Sequence, residues 1–121
     1  MKSIITTALL FTLTAGYSLA QSLSPIGTFV YKYADGPTYR VTIPNTESLT
    51  WECIEGAEKG AKGEEHPSRF TVDDGIFFAT WIEKTGIIVT QVVNLKTNKV
   101  YTTIVEGKER YVLVGDISKD Q

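Results

Sequence analysis

The stretch GIFFATWIEKTGIIVTQVVNL, residues 75–95, decides the fold class. Ile76 to Glu83 is rich in aromatic and β-branched residues, which suit a pleated strand. Successive side chains of a strand point to opposite faces. Phe77, Ala79, Trp81 and Glu83 therefore share one face, and Ile76, Phe78, Thr80 and Ile82 share the other. Lys84-Thr85-Gly86 turns the chain, and Ile87 to Leu95 reads as a second strand. Two strands about one short turn make an antiparallel hairpin. Both faces of its first strand are apolar, which predicts a strand deep in a sheet or beneath another layer.

The same grammar recurs on either side. Upstream, Thr28 to Ala34, Thr38 to Ile43, Ser48 to Ile54 and the short Arg69 to Val72 read as strands. Asp35-Gly36 is a strong hairpin signal, and Pro37 lengthens its loop beyond the minimal one. Pro44-Asn45 and Asp73-Asp74-Gly75 are further turns. Downstream, Val100 to Val105 and Arg110 to Ile117 complete a set of eight strands. No run of helical period interrupts them. Glu55 to Ser68, rich in glycine, lysine and glutamate, reads as a loop longer than a compact domain usually carries without a use.

Short connections make sequence neighbours pair antiparallel. A flat eight-stranded sheet would expose two long edges, and closing it removes them. The expected fold is all-β: a small, closed, eight-stranded antiparallel up-and-down barrel. A two-sheet sandwich is the competing architecture. The barrel is preferred because no long crossover appears outside the glycine-rich loop.

Residues 1–20, MKSIITTALLFTLTAGYSLA, have the three-part layout of a secretory signal. Lys2 precedes an apolar stretch, and Ser18 and Ala20 supply small residues before the expected cleavage between Ala20 and Gln21. The strongly apolar core is about ten residues, against the ~20 that a spanning helix needs. The expectation is a secreted or periplasmic protein whose single domain is residues 21–121, with no membrane association after signal removal. Losing Lys2 takes the net charge from −2 to −3. Such a chain has no basic field for nucleic acid or an anionic membrane. One cysteine, Cys53, excludes an internal disulfide, so the fold rests on packing, with Cys53 as a small buried hydrophobe.

Candidate site residues follow from the alternation. Tyr31 and Tyr33 share a face with Phe29, and two inward phenols each want a hydrogen-bond partner. Glu83 sits at a strand end on the face of Phe77 and Trp81. Two readings stay open for it. It reaches solvent at the rim, or it faces the lumen, where burial raises its pKa and suits it to proton transfer. His66 with Glu64 and Glu65 is a weak metal candidate, because three consecutive loop residues seldom converge on one ion. No metal or other cofactor is expected. The glycines at 56, 60 and 63 lead into no helix and make no phosphate-binding motif.

Tyr31-Lys32-Tyr33-Ala34-Asp35-Gly36, followed by Gly75-Ile76-Phe77-Phe78-Ala79-Thr80-Trp81-Ile82-Glu83-Lys84-Thr85-Gly86, resembles the calycin (lipocalin-like) group. Within it, the likeness is to the MoaF-like domains and, more distantly, to the bacterial phenolic acid decarboxylases. It covers roughly residues 28–105, and its Trp-x-Glu-x-Thr-Gly segment is the more specific part. The resemblance implies a lipocalin-like barrel. In the decarboxylases the two tyrosines, the glutamate and an arginine act on a 4-hydroxycinnamate, the glutamate at the phenol end. Carried over by motif, these are Tyr31, Tyr33 and Glu83. The arginine has no counterpart by motif: Gly56-Ala57-Glu58-Lys59-Gly60 is followed by Ala61 and then Lys62. The decarboxylases also carry a helical extension and are cytoplasmic, two further departures.

Three functions are therefore in competition. The first is an exported barrel binding a small aromatic or apolar molecule in a lumen lined by Tyr31, Tyr33, Trp51, Phe77, Trp81 and Tyr101. The second is a metal-free lyase or isomerase with Glu83 as catalytic acid/base. The third is a structural or interaction protein with a filled lumen. The oligomeric state is left open.

Overall fold

The computed structural model describes residues 23–120. The expected signal peptide and its cleavage point lie outside the described residues. Nine strands follow in chain order: β1 (Gly27–Tyr33), β2 (Thr38–Asn45), β3 (Ser48–Glu55), β4 (Lys62–Glu65), β5 (Ser68–Asp73), β6 (Ile76–Ile82), β7 (Ile88–Asn94), β8 (Lys99–Glu106) and β9 (Glu109–Lys119). All eight expected strands are present. The addition is β4, from the stretch expected to be a loop. Its Lys-Gly-Glu-Glu composition gives no apolar alternation, and pairing with β3 makes it a strand.

The strands form one antiparallel sheet in the order β4-β3-β2-β1-β9-β8-β7-β6-β5. Sequence neighbours pair, and β1 also pairs β9, with Tyr31 opposite Ile117. That pairing of first and last strands curls the meander into a barrel. The sequence predicts a fully closed ladder, whereas this one is open at a single seam. It ends at β4 on one side and β5 on the other. Only His66 and Pro67 join these two strands, and proline has no N–H for a ladder.

The turns follow their residues. At the first hairpin Tyr33 N donates to Pro37 O at 3.1 Å, with Asp35 in the left-handed region at φ 54°. This is the longer loop that Pro37 predicts.

One core fills the barrel. Phe29, Tyr31 and Tyr33 from β1, Val41 and Ile43 from β2, and Leu49 from β3 meet Ala79, Trp81, Val89, Val93, Val100 and Ile117 from the facing strands. Cys53 is buried on this inner face, 1 % exposed. Each fully buried aliphatic or aromatic side chain contributes roughly 1.5–3 kcal/mol of burial free energy. The remaining cavity at one end is about 10 Å³, close to the least that holds one water. Pro25 lines it, so the chain before β1 lies across that end.

Candidate functional site in the barrel lumen

Alternation and register fix which side chains enter the lumen. On β6 they are Phe77, Ala79 and Trp81, buried at 7 %, 5 % and 9 % exposure. Glu83 follows directly. Its backbone is held by a small turn in which its N–H donates to Ile87 O at 2.8 Å and Gly86 N donates to its carbonyl at 2.8 Å. Gly86 adopts φ 91°, a conformation that favours glycine. The Thr-Gly of the motif thus fixes where the carboxylate sits.

The Trp81 indole N–H donates to Glu83 Oε2 at 3.3 Å. The carboxyl is half-buried at the rim. Burial pushes its pKa above the ordinary carboxylate range; the Trp81 hydrogen bond opposes this, and the like charges of Glu65 and Glu58 add to it. Glu83 thus stands at the rim, half-buried beside Trp81.

A second indole–carboxylate pair stands on the other side of the seam. Trp51 Nε1 donates to Glu65 Oε2 at 2.9 Å. Glu65 is buried, while Glu64 and His66, on either side of it, are exposed. The three residues weighed as metal ligands therefore diverge. Trp51 lies over Gly63, its partner in the β3–β4 register. A Cβ on Gly63 would come within 2.9 Å of the indole ring. Gly63 is thus required by the close approach of the ring.

Tyr39 joins these pairs to the interior. Its ring meets Trp51 edge-on, with centroids 5.9 Å apart, and Tyr33 likewise at 6.1 Å. Burial pushes its hydroxyl up to about 12, with added contributions from Cys53, Glu58 and Glu83. Tyr33 is fully inside. Its hydroxyl lies 2.6 Å from Thr102 Oγ1 and accepts from Gln91 Nε2 at 3.3 Å. Burial raises it to about 12, against the lowering effect of these two hydrogen bonds. The hydrogen-bond partner expected for an inward phenol is thus supplied by the barrel wall.

The other end carries the opposite charge. Arg69 on β5 lies opposite Ala79 in the register and enters the lumen. It lines the 10 Å³ cavity with Tyr31, Phe77 and Gln91. Its Nη1 donates across the seam to the carbonyls of Thr46 at 2.9 Å and Asn45 at 3.3 Å. Its Nη2 is buried without a partner. Burial lowers the guanidinium pKa, and Tyr31 opposes that. The Tyr31 hydroxyl is raised well above its usual value, first by burial and then by Tyr33.

Of the sequence-predicted residues, Tyr31, Tyr33, Trp51, Phe77 and Trp81 share the lumen. Tyr101 does not. Its neighbours Val100 and Thr102 are buried, whereas Tyr101 is 45 % exposed on the outer face. Alternation along β8 admits only one of these two sets. Tyr31 and Glu83, expected to share one cavity, are drawn apart: Tyr31 lines the Arg69 end, and Glu83 is outside that cavity. Sequence reasoning missed Arg69, Gln91, Thr102 and Tyr39, and it weighed Glu65 only as a metal ligand. Arg69 had a usable signal. Reflecting β6 about the Asp73-Asp74-Gly75 turn puts it opposite Ala79, on the Trp81 face. Glu65 had none, lying in a polar run without alternation.

A family model described as MoaF-like matches residues 27–118. The chain belongs to the MoaF-like family. The match spans β1 to β8 and all but the last residue of β9. No curated protein matches the chain. Among solved structures, a "putative beta-lactamase from Burkholderia vietnamiensis" is similar at 18% identity and a TM-score of 0.75. The match covers 84% of this chain and 100% of that one. At that identity the likeness speaks for the fold alone. MoaF-like membership and this likeness agree with the calycin-type barrel that the motifs imply.

Proposed function

We propose that this MoaF-like chain is an exported binding module that takes a small aromatic or apolar molecule into its barrel. The observation that carries the reading is the polar equipment of an otherwise apolar lumen. Two indole–carboxylate pairs, Trp51–Glu65 and Trp81–Glu83, stand with the Tyr39 ring at one side. The buried Tyr33, Gln91 and Thr102 form a hydrogen-bonded line within. A lumen serving only as core gains little from such groups, because each costs desolvation free energy to bury. Apolar walls with a few placed polar groups are the usual make-up of a small-molecule site.

The present cavity is too small for such a ligand, so entry requires movement. The seam between β4 and β5 suits this, since no ladder hydrogen bonds have to break there. Titrating the protein with phenolic and other small aromatic molecules, with tryptophan fluorescence as readout, tests the reading. Saturable shifts are expected, and loss of binding by calorimetry in Trp81→Ala would locate the ligand.

The raised pKa of Glu83 favours a second reading, a metal-free lyase or isomerase with Glu83 as acid/base. Incubation with hydroxycinnamates, followed by their ultraviolet band, tests it. Turnover that Glu83→Gln leaves intact would contradict that role.

A further inference from the structure

We propose that Arg69 is a carboxylate-binding anchor, so that the molecule taken into the lumen is an organic acid with an apolar body. The proposal rests on the lumen-binding reading and narrows its ligand class.

A guanidinium inside a barrel requires a reason. Arg69 is half-buried, with its Nη2 sealed from solvent, and even partial burial of a cation without a counter-charge is costly. Among the described residues no carboxylate forms a salt bridge with Arg69. Its Nη1 is occupied by the Thr46 and Asn45 carbonyls, which are neutral. Its Nη2 is buried and makes no hydrogen bond. An incoming carboxylate supplies both missing things: the negative charge and an acceptor for Nη2. The same cavity offers the Tyr31 phenol and the Gln91 amide beside it. Its other walls are apolar, including Phe29, Phe77 and Val93. Arg69 is already held in place by the Nη1 bonds, so little side-chain freedom is lost on binding.

The charge pattern also sets the direction. Glu83 lies four positions beyond Ala79, the register partner of Arg69, or ~13 Å along the strand at about 3.3 Å per residue. Glu58 and Glu65 reinforce the negative end. An acid is therefore repelled at one end of the lumen and held at the other.

Arg69 also ties β5 to the β2–β3 turn across the open seam. A purely structural tie would not discriminate between ligands by charge. The test uses purified protein at pH 7 and a panel of aromatic and alkyl monocarboxylates, each paired with its primary amide. Calorimetry and tryptophan fluorescence report affinity. The expected result is a preference for the acid over its amide of tenfold or more. That preference should vanish in Arg69→Gln and persist in part in Arg69→Lys. Equal affinity for acid and amide overturns the anchor while leaving lumen binding intact, as does an acid preference that survives in Arg69→Gln. Binding of neither series overturns the lumen reading itself, and the anchor with it. If Arg69→Gln fails to fold, the wild-type comparison of acid with amide still decides.

Discussion

The Trp51 indole N–H donates to the buried Glu65 carboxylate at 2.9 Å, linking β3 to the last strand before the seam. Glu65→Leu keeps the bulk and leaves the indole N–H without that acceptor. An unsatisfied group of this kind costs about 1–3 kcal/mol. Urea denaturation should show that loss, and Glu65→Gln, which retains an oxygen acceptor, should lose less. Equal stability of Glu65→Leu and wild type would remove the pair from any structural role.

Gly63 makes room for the same indole. With the ring only 2.9 Å from a Cβ placed there, Gly63→Ala must displace Trp51 or bend β4. Overpacking of this sort costs about 1–3 kcal/mol. The emission of Trp51, read in a Trp81→Phe background, should shift as well. An unchanged spectrum would mean that β4 yields instead of the ring.

Tyr33→Phe removes the hydroxyl at the centre of the Thr102–Tyr33–Gln91 line. It leaves two buried polar groups without that partner. A loss of about 1–3 kcal/mol is expected, with little change in the circular dichroism of the sheet.

Glu83 imposes a pH dependence of definite sign. Its folded pKa is raised, so the folded state binds the proton more readily than the unfolded one. Its ionised form therefore disfavours folding. That cost is absent below the ordinary value of 4.5 and grows as pH rises through the folded value. Compared with Glu83→Gln, wild type should gain relative stability as pH falls from 7 to 4. Denaturation midpoints of both proteins across that range check this. A flat difference, or one of opposite slope, contradicts the desolvated rim position.

Much of this barrel is legible in the sequence because alternation and turn chemistry agree along most of it. Every expected strand but Val100–Val105 has apolar residues two apart, and each has a Gly, Pro or Asn-containing break beside it. The same alternation correctly groups Tyr31 with Tyr33 and Phe77 with Trp81. It fails where it has nothing to read. Lys62–Glu65 becomes a strand only because β3 offers it a partner, a tertiary cause invisible to local pattern. The inward direction of Glu65 follows from the same pairing. The residue type of Tyr101 suits a lumen, but the neighbouring Val100 and Thr102 occupy the inner face of β8. The motif points to an arginine beside the glycine-rich segment, whereas the lumen receives one from β5. The open seam has the same origin. A pattern of strands specifies neighbours but does not state whether the last pair will meet.

The central claim is that this lumen admits a ligand, and the two tryptophans, both on the inner face, make the decisive measurement simple. Intrinsic fluorescence should be titrated with small aromatic molecules in wild type, Trp51→Phe and Trp81→Phe. The account predicts a saturable change for at least one ligand, present in each single variant, with a common dissociation constant within a few-fold. Spectra that stay unchanged across the series, with calorimetry equally silent, would show that the barrel is a filled core and contradict the account.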